Sequence, residues 1–435
     1  MLEALIGFGA LFGLVLLRVP IAVAMIIVGT AGFAMLRNWN AAFNLLGNAA
    51  FDTGLSFTLS VIPLFILMGN LLTISGVSQS LFTTAHRALH KMRGGLAMAT
   101  IVACGGFSAV CGSSLATAAT MSKVAMPSMR KAGYADSLAT GSIAAGGTLG
   151  ILIPPSVILI IYGLLTEADI GKLFVAGIIP GLLGVVFYMA AVYVTVLLKP
   201  NLAPSSHDDI PVERKDVWGV LAVLGLFAII MIGIYGGFFT PTEAAGIGAA
   251  TAFLIALFSG GLTFEKLFQA GLNCARTTAM IFAIIIGAEV FSNFISYAGV
   301  PDALLEFVQS LDVNAYVVIL VLVLIYVILG AVLESLSMIL LTVPVFFPLV
   351  TSLDFGTGAL SDPEMVLIWF GIIVVVVTEI SLISPPIGLN VFVLRSVLTD
   401  VPLRTMFAGI LPFWAADILR LGLLIAVPAL SLALI

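Results

Sequence analysis

The 435-residue chain is 61% hydrophobic and only 9% charged, with a mean hydropathy of +1.24 and a formal net charge of −5. A soluble domain carries about 25% charged residues, so this composition excludes a water-soluble enzyme and a nucleic-acid-binding protein. The apolar runs are long and continuous rather than alternating, which excludes a β-barrel and leaves an all-α polytopic membrane protein embedded in a lipid bilayer.

At about 20 residues per span, the length accommodates roughly 10 to 12 spans. Cys104, Cys111 and Cys274 lie in or beside apolar segments, so no disulfide framework is expected. His86, His90 and His207 fall in polar loops and form no metal-binding spacing, and no cofactor is expected. The sequence has no phosphate-binding Gly-Lys-Ser/Thr loop, so the chain itself does not consume ATP. Ser108 and Ser113 lack a Gly-x-Ser-x-Gly frame and a partner histidine, which argues against a serine hydrolase.

Residues 2–17 lack the basic start of a signal peptide and read as a first span, turning at Arg18 into a second at 20–36. Residues 37–53 are polar and Asn-rich and read as an interfacial loop. A third span follows at 55–74, interrupted by Pro63, and then a basic amphipathic arm at 76–92. Residues 94–131 resemble a span but carry basic residues at both ends, including Arg93, Lys123, Arg130 and Lys131. Lys and Arg favour the cytoplasmic side, so the segment reads as a re-entrant hairpin with its tip at Cys111-Gly112-Ser113-Ser114; Lys123 snorkels to the same face. Residues 134–165 are too long for one straight crossing and break around Gly146–Gly150 and Pro154-Pro155-Ser156, where proline removes a backbone donor. A span at 173–198 closes the first half, and the polar stretch 199–216 reads as a cytoplasmic linker.

The second half begins with spans at 217–235 and up to about Ser259, separated by Thr240-Pro241-Thr242-Glu243. That tetrad reads as a helix start with Thr240 or Thr242 as N-cap. A short loop at 264–276 leads into a third span, and then an acidic amphipathic arm carries Asp302, Glu306 and Asp312. Two limbs at 315–350 meet at Gly330–Ser337. Residues 364–398 break at Ser384-Pro385-Pro386, and a last span runs from about Met406. The element order repeats, and each half contains an odd number of crossings. The second half is therefore expected to be inverted, giving two inverted repeats, each with a re-entrant hairpin and a Pro-Pro-broken helix. That layout marks secondary transporters.

Each hairpin tip joins a helix C-terminus, rich in free carbonyls, to a helix N-terminus, rich in free amides. Serine hydroxyls and free carbonyls are hard oxygen ligands suited to Na⁺; free amides at a helix start suit a carboxylate. Two cation sites follow, each between a tip and its neighbouring break, with a carboxylated solute between the tips. Ser108, Ser113, Ser156, Ser335, Ser337 and Asn390 are the solute-binding candidates, with Thr148 as a further wall residue. Small and hydroxylated residues also serve ordinary helix packing; it is the pairing of hairpin and break in both halves that carries the functional reading. Glu334 and Glu379 are intramembrane acids. Glu334 suits cation binding, proton carriage or helix capping, with capping or support of a sodium site preferred. Asp417 and Arg420 lie one turn apart and suit a simple pair.

At these residues the chain resembles the large membrane subunit of tripartite ATP-independent periplasmic (TRAP) transporters of the dicarboxylate type. The carrying segments are FSAVCGSSLATAATM (107–121), MRKAGY (129–134), LGILIPPSVILIIYG (149–163), LFVAGIIPG (173–181), FFTPTEAAG (238–246), LGAVLESLSMILLTVPVFFP (329–348) and ISPPIGLNVFV (383–393). The resemblance implies an elevator-type Na⁺ symporter fold in the bacterial inner membrane, importing a small organic acid. It places one sodium site at Ser113, Ser114, Gly150 and Pro154, and the other at Gly330, Leu333, Ser384 and Pro385. Cys111 stands where many members carry serine and is not expected to be a ligand. The implied division is scaffold at 1–92, 166–312 and 399–435, and transport domain at 93–165 and 313–398. A separate small four-helix membrane subunit and a periplasmic substrate-binding protein are the implied partners. The competing readings are a stand-alone Na⁺-coupled di- or tricarboxylate symporter and, from another class, a membrane enzyme or ion channel.

Overall fold

The computed structural model describes residues 2–204, 213–311, 313–330, 333–356 and 358–435. Asp312 of the acidic arm, His207 and residues 205–212 of the linker, and Ala331 and Val332 of the second tip lie outside the described residues.

The first half runs α1 (Leu2–Leu16), α2 (Ile21–Leu36), α3 (Trp39–Leu55), α4 (Val61–Ile74), α5 (Val77–Leu89), α6 (Gly95–Cys111), α7 (Ser114–Lys131), α8 (Asp136–Thr148), α9 (Val157–Thr166) and α10 (Ile170–Leu198). The second runs α11 (Arg214–Tyr235), α12 (Pro241–Phe258), α13 (Phe264–Tyr297), α14 (Val300–Ser310), α15 (Ala315–Gly330), α16 (Ser335–Thr351), α17 (Pro363–Ile383), α18 (Leu389–Val397), α19 (Leu403–Ala426) and the short α20 (Ala429–Leu432). Among the described residues six helices are long and apolar enough to cross a membrane, or seven if α3 and α4, bent by 60°, form one span. This is fewer than the 10 to 12 expected, because α1 and α2 are short and the hairpins and broken helices divide into pieces. The chain is a multi-pass, all-helical membrane protein.

Four sequence expectations are corrected. Residues 37–53 are not a loop. Asn38 caps α3 by accepting from the Ala41 amide at 2.8 Å, and Ala42, Ala49 and Thr53 bury one face. The many asparagines obscured that small-residue stripe. Pro63 does not interrupt the third span. It sits in the first turn of α4, where no intrahelical amide is needed, and the bend falls at Ser56 and Phe57. Residues 264–276 are not a loop either. Thr263 caps a continuous α13 whose 34 residues span about 51 Å at 1.5 Å per residue, well beyond the bilayer core. The linker also ends earlier than expected, since α11 starts at Arg214 under a Glu213–Asp216 capping box. Thr240, rather than Thr242, caps α12 with Glu243 as its reciprocal partner.

The helices sort into two packed groups. In one, α13 lies on α2 and α4, α12 on α4, and α3 on α2. In the other, the hairpin α6–α7 packs on α8, and α19 packs on α8, α10 and α17. The amphipathic arms lie between them: α5 touches α6 and α11, and α14 touches α13 and α16. The α17 helix is buried along almost its whole length.

The two broken helices run in opposite directions. Asn390 on α18 donates to the Ala144 carbonyl of α8 at 3.0 Å. At the other end, Tyr162 on α9 donates to the Leu367 carbonyl near the start of α17 at 2.7 Å. Ion pairs hold both ends of this arrangement. Arg130 reaches Asp136 at 2.9 Å and Asp400 at 2.6 Å, and its hydrogen bond holds the Asp400 carboxyl below the usual range. Lys172 reaches Glu364 at 2.6 Å.

The α8–α19 crossing is made backbone to backbone. A Cβ on Gly409 would lie 1.9 Å from the Ser137 carbonyl oxygen, and one on Gly141 would lie 2.2 Å from the Gly409 carbonyl oxygen. Because backbone atoms are the obstacle, no rotamer change relieves the clash. Gly409→Ala is expected to destabilise the protein by about 1–3 kcal/mol. A lowered melting temperature in detergent would show this, and an unchanged one would refute the close crossing.

Candidate functional site

Hairpin one turns where expected. Gly112 adopts the left-handed conformation, φ +62°, and its amide donates to the Ser108 carbonyl at 2.9 Å, closing α6. Ser113 is the N-cap of α7 and accepts from the Ala116 amide at 3.4 Å. Hairpin two turns before Ser335, the first residue of α16. Glu334 occupies its N-cap position, but its side chain makes no cap hydrogen bond. The capping role preferred for Glu334 is therefore not realised.

The first broken helix continues past α8 through a short turn at Leu149–Ile151 and unwinds before α9. Ser156 caps α9 by accepting from the Leu159 amide at 3.3 Å, and it donates its hydroxyl to the Ile151 carbonyl across the break. In the second broken helix, Ser384 donates to the Ile380 carbonyl at 2.7 Å and accepts from Trp414 Nε1 at 2.8 Å. The Pro154-Pro155 and Pro385-Pro386 bonds are both cis. Pro154 and Pro155 are buried, whereas Pro385 and Pro386 are exposed.

A cavity of about 200 Å³ lies where these elements meet. Residues 111–116 of the first tip and 334–336 of the second form part of its wall. Ile151, Val157 and Ile158 beside the first break also line it, as does Leu382 just before the second. The opposite wall comes from the other helix group: Ile66 and Asn70 of α4, and Thr277, Met280 and Ile281 of α13. Ser114 and Ser335 are both buried, and neither hydroxyl has a hydrogen-bond partner. A buried polar group without a partner costs free energy, so this pair of orphaned hydroxyls, one from each hairpin, is suited to a polar ligand or ion. The half-buried Glu334 adds a carboxylate to the same wall.

The structure thus brings Ser113, Ser114 and Ser335 together around one cavity. The other solute candidates lie elsewhere. Ser108 is buried inside hairpin one, donating to Thr117 at 3.3 Å, and it packs so tightly on Gly150 that a Cβ there would lie 2.8 Å away. Ser156 is occupied within the break. Ser337 is buried in the first turn of α16 and does not reach the cavity. Asn390 ties α18 to α8, leaving its Oδ1 unpartnered. Thr148 bonds to Tyr188 at 3.0 Å instead of facing a solute.

Of the proposed sodium ligands in the first set, Ser113 and Ser114 line the cavity, whereas Gly150 packs on Ser108 and neither it nor Pro154 lines the cavity. A Cβ on Gly112 would lie 3.6 Å from the Pro155 carbonyl oxygen, and one on Gly147 would lie 3.2 Å from the Ser114 carbonyl oxygen, so tip and break touch. In the second set, Gly330 packs on Ser381 one turn before the break, where a Cβ would lie 2.2 Å from the Ser381 Cβ. The Leu333 amide donates to the Leu329 carbonyl at 2.9 Å, and the Ser384 hydroxyl already has two partners. Sequence reasoning missed the wall from α4 and α13. Asn70 lies in the apolar α4 and Thr277 in the polar first half of α13, and nothing local distinguishes either from ordinary packing or surface residues.

The family model and the sequence relatives agree on the family. The model of the DctM component of tripartite ATP-independent periplasmic transporters matches residues 8–430. The chain is 36% identical to the large permease protein DctM of a C4-dicarboxylate TRAP transporter from Pseudomonas aeruginosa, over 88% of this chain and 87% of that one. It is 31% identical to the isethionate TRAP transporter permease protein DctMQ from Oleidesulfovibrio alaskensis, over 99% of this chain and 66% of that one. In fold it is similar to the YdaH transporter of Alcanivorax borkumensis, with a TM-score of 0.56 and 16% identity, covering 89% of this chain and 88% of that one. With the family matched along nearly the whole chain, and with a multi-pass helical fold that contains two hairpins and two broken helices, this protein belongs to the DctM family: it is a large permease subunit of a TRAP transporter and not an enzyme.

Proposed function

We propose that this subunit imports a small organic anion across the bacterial inner membrane, driven by Na⁺ and moving by an elevator mechanism. The cavity carries the reading. It is walled on one side by both hairpin tips with their orphaned Ser114 and Ser335 hydroxyls, and on the other by α4 and α13. A cargo held there sits at the boundary between two separately packed helix groups, which is where sliding of one group against the other would carry it. The opposed directions of the broken helices support an inverted repeat.

The cargo proposed is a C4-dicarboxylate, keto acid or sugar acid, in line with the dicarboxylate relative; the isethionate relative points to a small acid more generally. The Na⁺ sites lie beside Ser113, Ser114, Gly150 and Pro154, and beside Gly330, Leu333, Ser384 and Pro385. Of the residues expected to bind solute, Ser113 and Ser335 remain, joined by Ser114. Glu334 belongs with the cations, because a carboxylate facing an anionic cargo is repulsive unless a positive charge stands between them.

The mobile body proposed here differs from the division expected from sequence. Helices α10 and α19 pack mainly against the broken helices; at its start α10 also meets the scaffold, where the Gly171 carbonyl accepts from Tyr235 of α11 at 2.9 Å. They are assigned to the moving group, leaving α1–α4 and α11–α13 as scaffold and the arms α5 and α14 as links. A separate four-helix membrane subunit and a periplasmic binding protein complete the transporter; the fused DctMQ relative suits a small subunit that works beside the large one.

Two outcomes test the reading. Proteoliposomes holding this chain, the small subunit and the binding protein are expected to accumulate a C4-dicarboxylate under an inward Na⁺ gradient. Uptake by this chain alone would favour a stand-alone symporter, and Na⁺-independent uptake would overturn the coupling. Ser114→Ala together with Ser335→Ala is expected to raise the Na⁺ or substrate concentration for half-maximal uptake about tenfold, the size of one lost bond to a charged group. Unchanged half-saturation for both would remove these hydroxyls from the site.

A further inference from the structure

Outside the cavity, three ionisable side chains are fully buried at the junction of four helices: Glu379 on α17, and Asp417 and Arg420 on α19. Arg420 Nη2 lies 2.5 Å from Glu379 Oε2 and 2.9 Å from Asp417 Oδ1. Tyr188 on α10 donates to Asp417 Oδ2 at 2.5 Å, and its hydroxyl also meets Thr148, the last residue of α8, at 3.0 Å. The guanidinium fits only because α10 carries glycine at 184: a Cβ there would lie 2.1 Å from Arg420 Nη1.

Both ends of this chain of contacts lead to a helix break. Thr148 directly precedes the turn that enters the first break, and the amide of Leu152, the residue after that turn, approaches the Glu379 carboxylate, although Glu379 Oε1 completes no hydrogen bond. Glu379 stands just over one turn before Ser384 in the second break. There α19 contributes again, since Trp414 donates to the Ser384 hydroxyl at 2.8 Å. One helix, α19, thus holds both breaks, the first through Arg420, Asp417, Tyr188 and Glu379, the second through Trp414.

We propose that Glu379, Arg420, Asp417 and Tyr188 are positioning residues that hold the two helix breaks in one fixed relation, so that a cation bound at either break alters the affinity of the other. The inference rests on the proposed Na⁺ sites. None of the four residues lines the cavity, so they act through the breaks and not on the cargo. A shift of the backbone at one break must disturb a network that also borders the second. All four side chains are fully buried, and in a low-dielectric interior the members of such a network polarise one another and respond together; an effect passed between two sites is a reciprocal coupling.

The test measures initial uptake against Na⁺ concentration in the reconstituted three-component transporter. The wild type is compared with Glu379→Gln and Tyr188→Phe. Glu379→Gln leaves Arg420 and Asp417 as a one-to-one pair, and Tyr188→Phe removes one hydroxyl while keeping the ring, so both variants are expected to fold. Elution profile and melting temperature check this. The wild type is expected to show a Hill coefficient above one. Both variants are expected to bring it towards one and to raise the half-saturating Na⁺ several-fold, with the substrate half-saturation at saturating Na⁺ unchanged. Conservative Glu379→Asp is expected to recover part of the cooperativity that Glu379→Gln loses. A purely structural network would lower the melting temperature or the maximal rate and leave the Hill coefficient intact, and that result overturns the proposal. Uptake by the wild type with no Na⁺ dependence would instead overturn the proposed coupling ion, and this inference with it.

Discussion

An interrupted helix inside a bilayer frees backbone amides and carbonyls that lipid cannot satisfy, and the rest of this structure follows from where those groups find partners. At the first break Ser156 serves both sides, donating back to Ile151 and accepting from Leu159. At the second, Ser384 donates back to Ile380 and is held by Trp414 from a neighbouring helix. At the first tip, Gly112 and Ser113 close one helix and open the next. These partners consume most of the freed polar groups. The side-chain hydroxyls of Ser114 and Ser335, at the starts of α7 and α16, have no such partner and share one cavity.

The same constraint explains why the broken helices sit where they do. Such segments are tolerated only when protein surrounds them, and α17 is buried along almost its whole length. Its neighbours therefore have to be close: glycine meets backbone where α8 crosses α19, and glycine makes room for Arg420 on α10. A buried guanidinium between two carboxylates is costly to assemble from water and costly to leave half made. It ties α10, α17 and α19 together, and through Tyr188 the end of α8, because pulling one partner away would leave an uncompensated buried charge. This is the physical reason to treat α10 and α19 as part of the hairpin body.

Much of the site was legible in the sequence. The tip at Cys111–Ser114 and the break at Pro154–Pro155 carry strong local signals, glycine for a left-handed turn, serine for an N-cap and paired proline for an interruption, and each falls where expected. The Thr240–Glu243 capping box is equally local. Less was legible where composition and burial disagree. An Asn-rich stretch became α3 because its buried face is a stripe of alanine and threonine, and polar residues near the start of α13 did not prevent one continuous helix. Asp417 and Arg420 were visible as a pair one turn apart, but Glu379, about forty residues earlier, was an unassigned acid until the fold brought it to the same guanidinium.

By itself, the sequence determined the class of protein, the order of its elements, the two hairpins and the two breaks, because hydrophobic length, proline, glycine and capping residues act over a few neighbouring positions. Only the tertiary structure decided which freed groups remained available. Ser108, Ser156 and Asn390 look as suitable as Ser114 and Ser335 when read along the chain, yet their hydrogen bonds and packing hold them away from the cavity. The wall from α4 and α13, and the buried charges linking the breaks, join residues far apart in sequence. Whether a polar group is left for a ligand depends on every partner within reach, and that set exists only once the helices are packed.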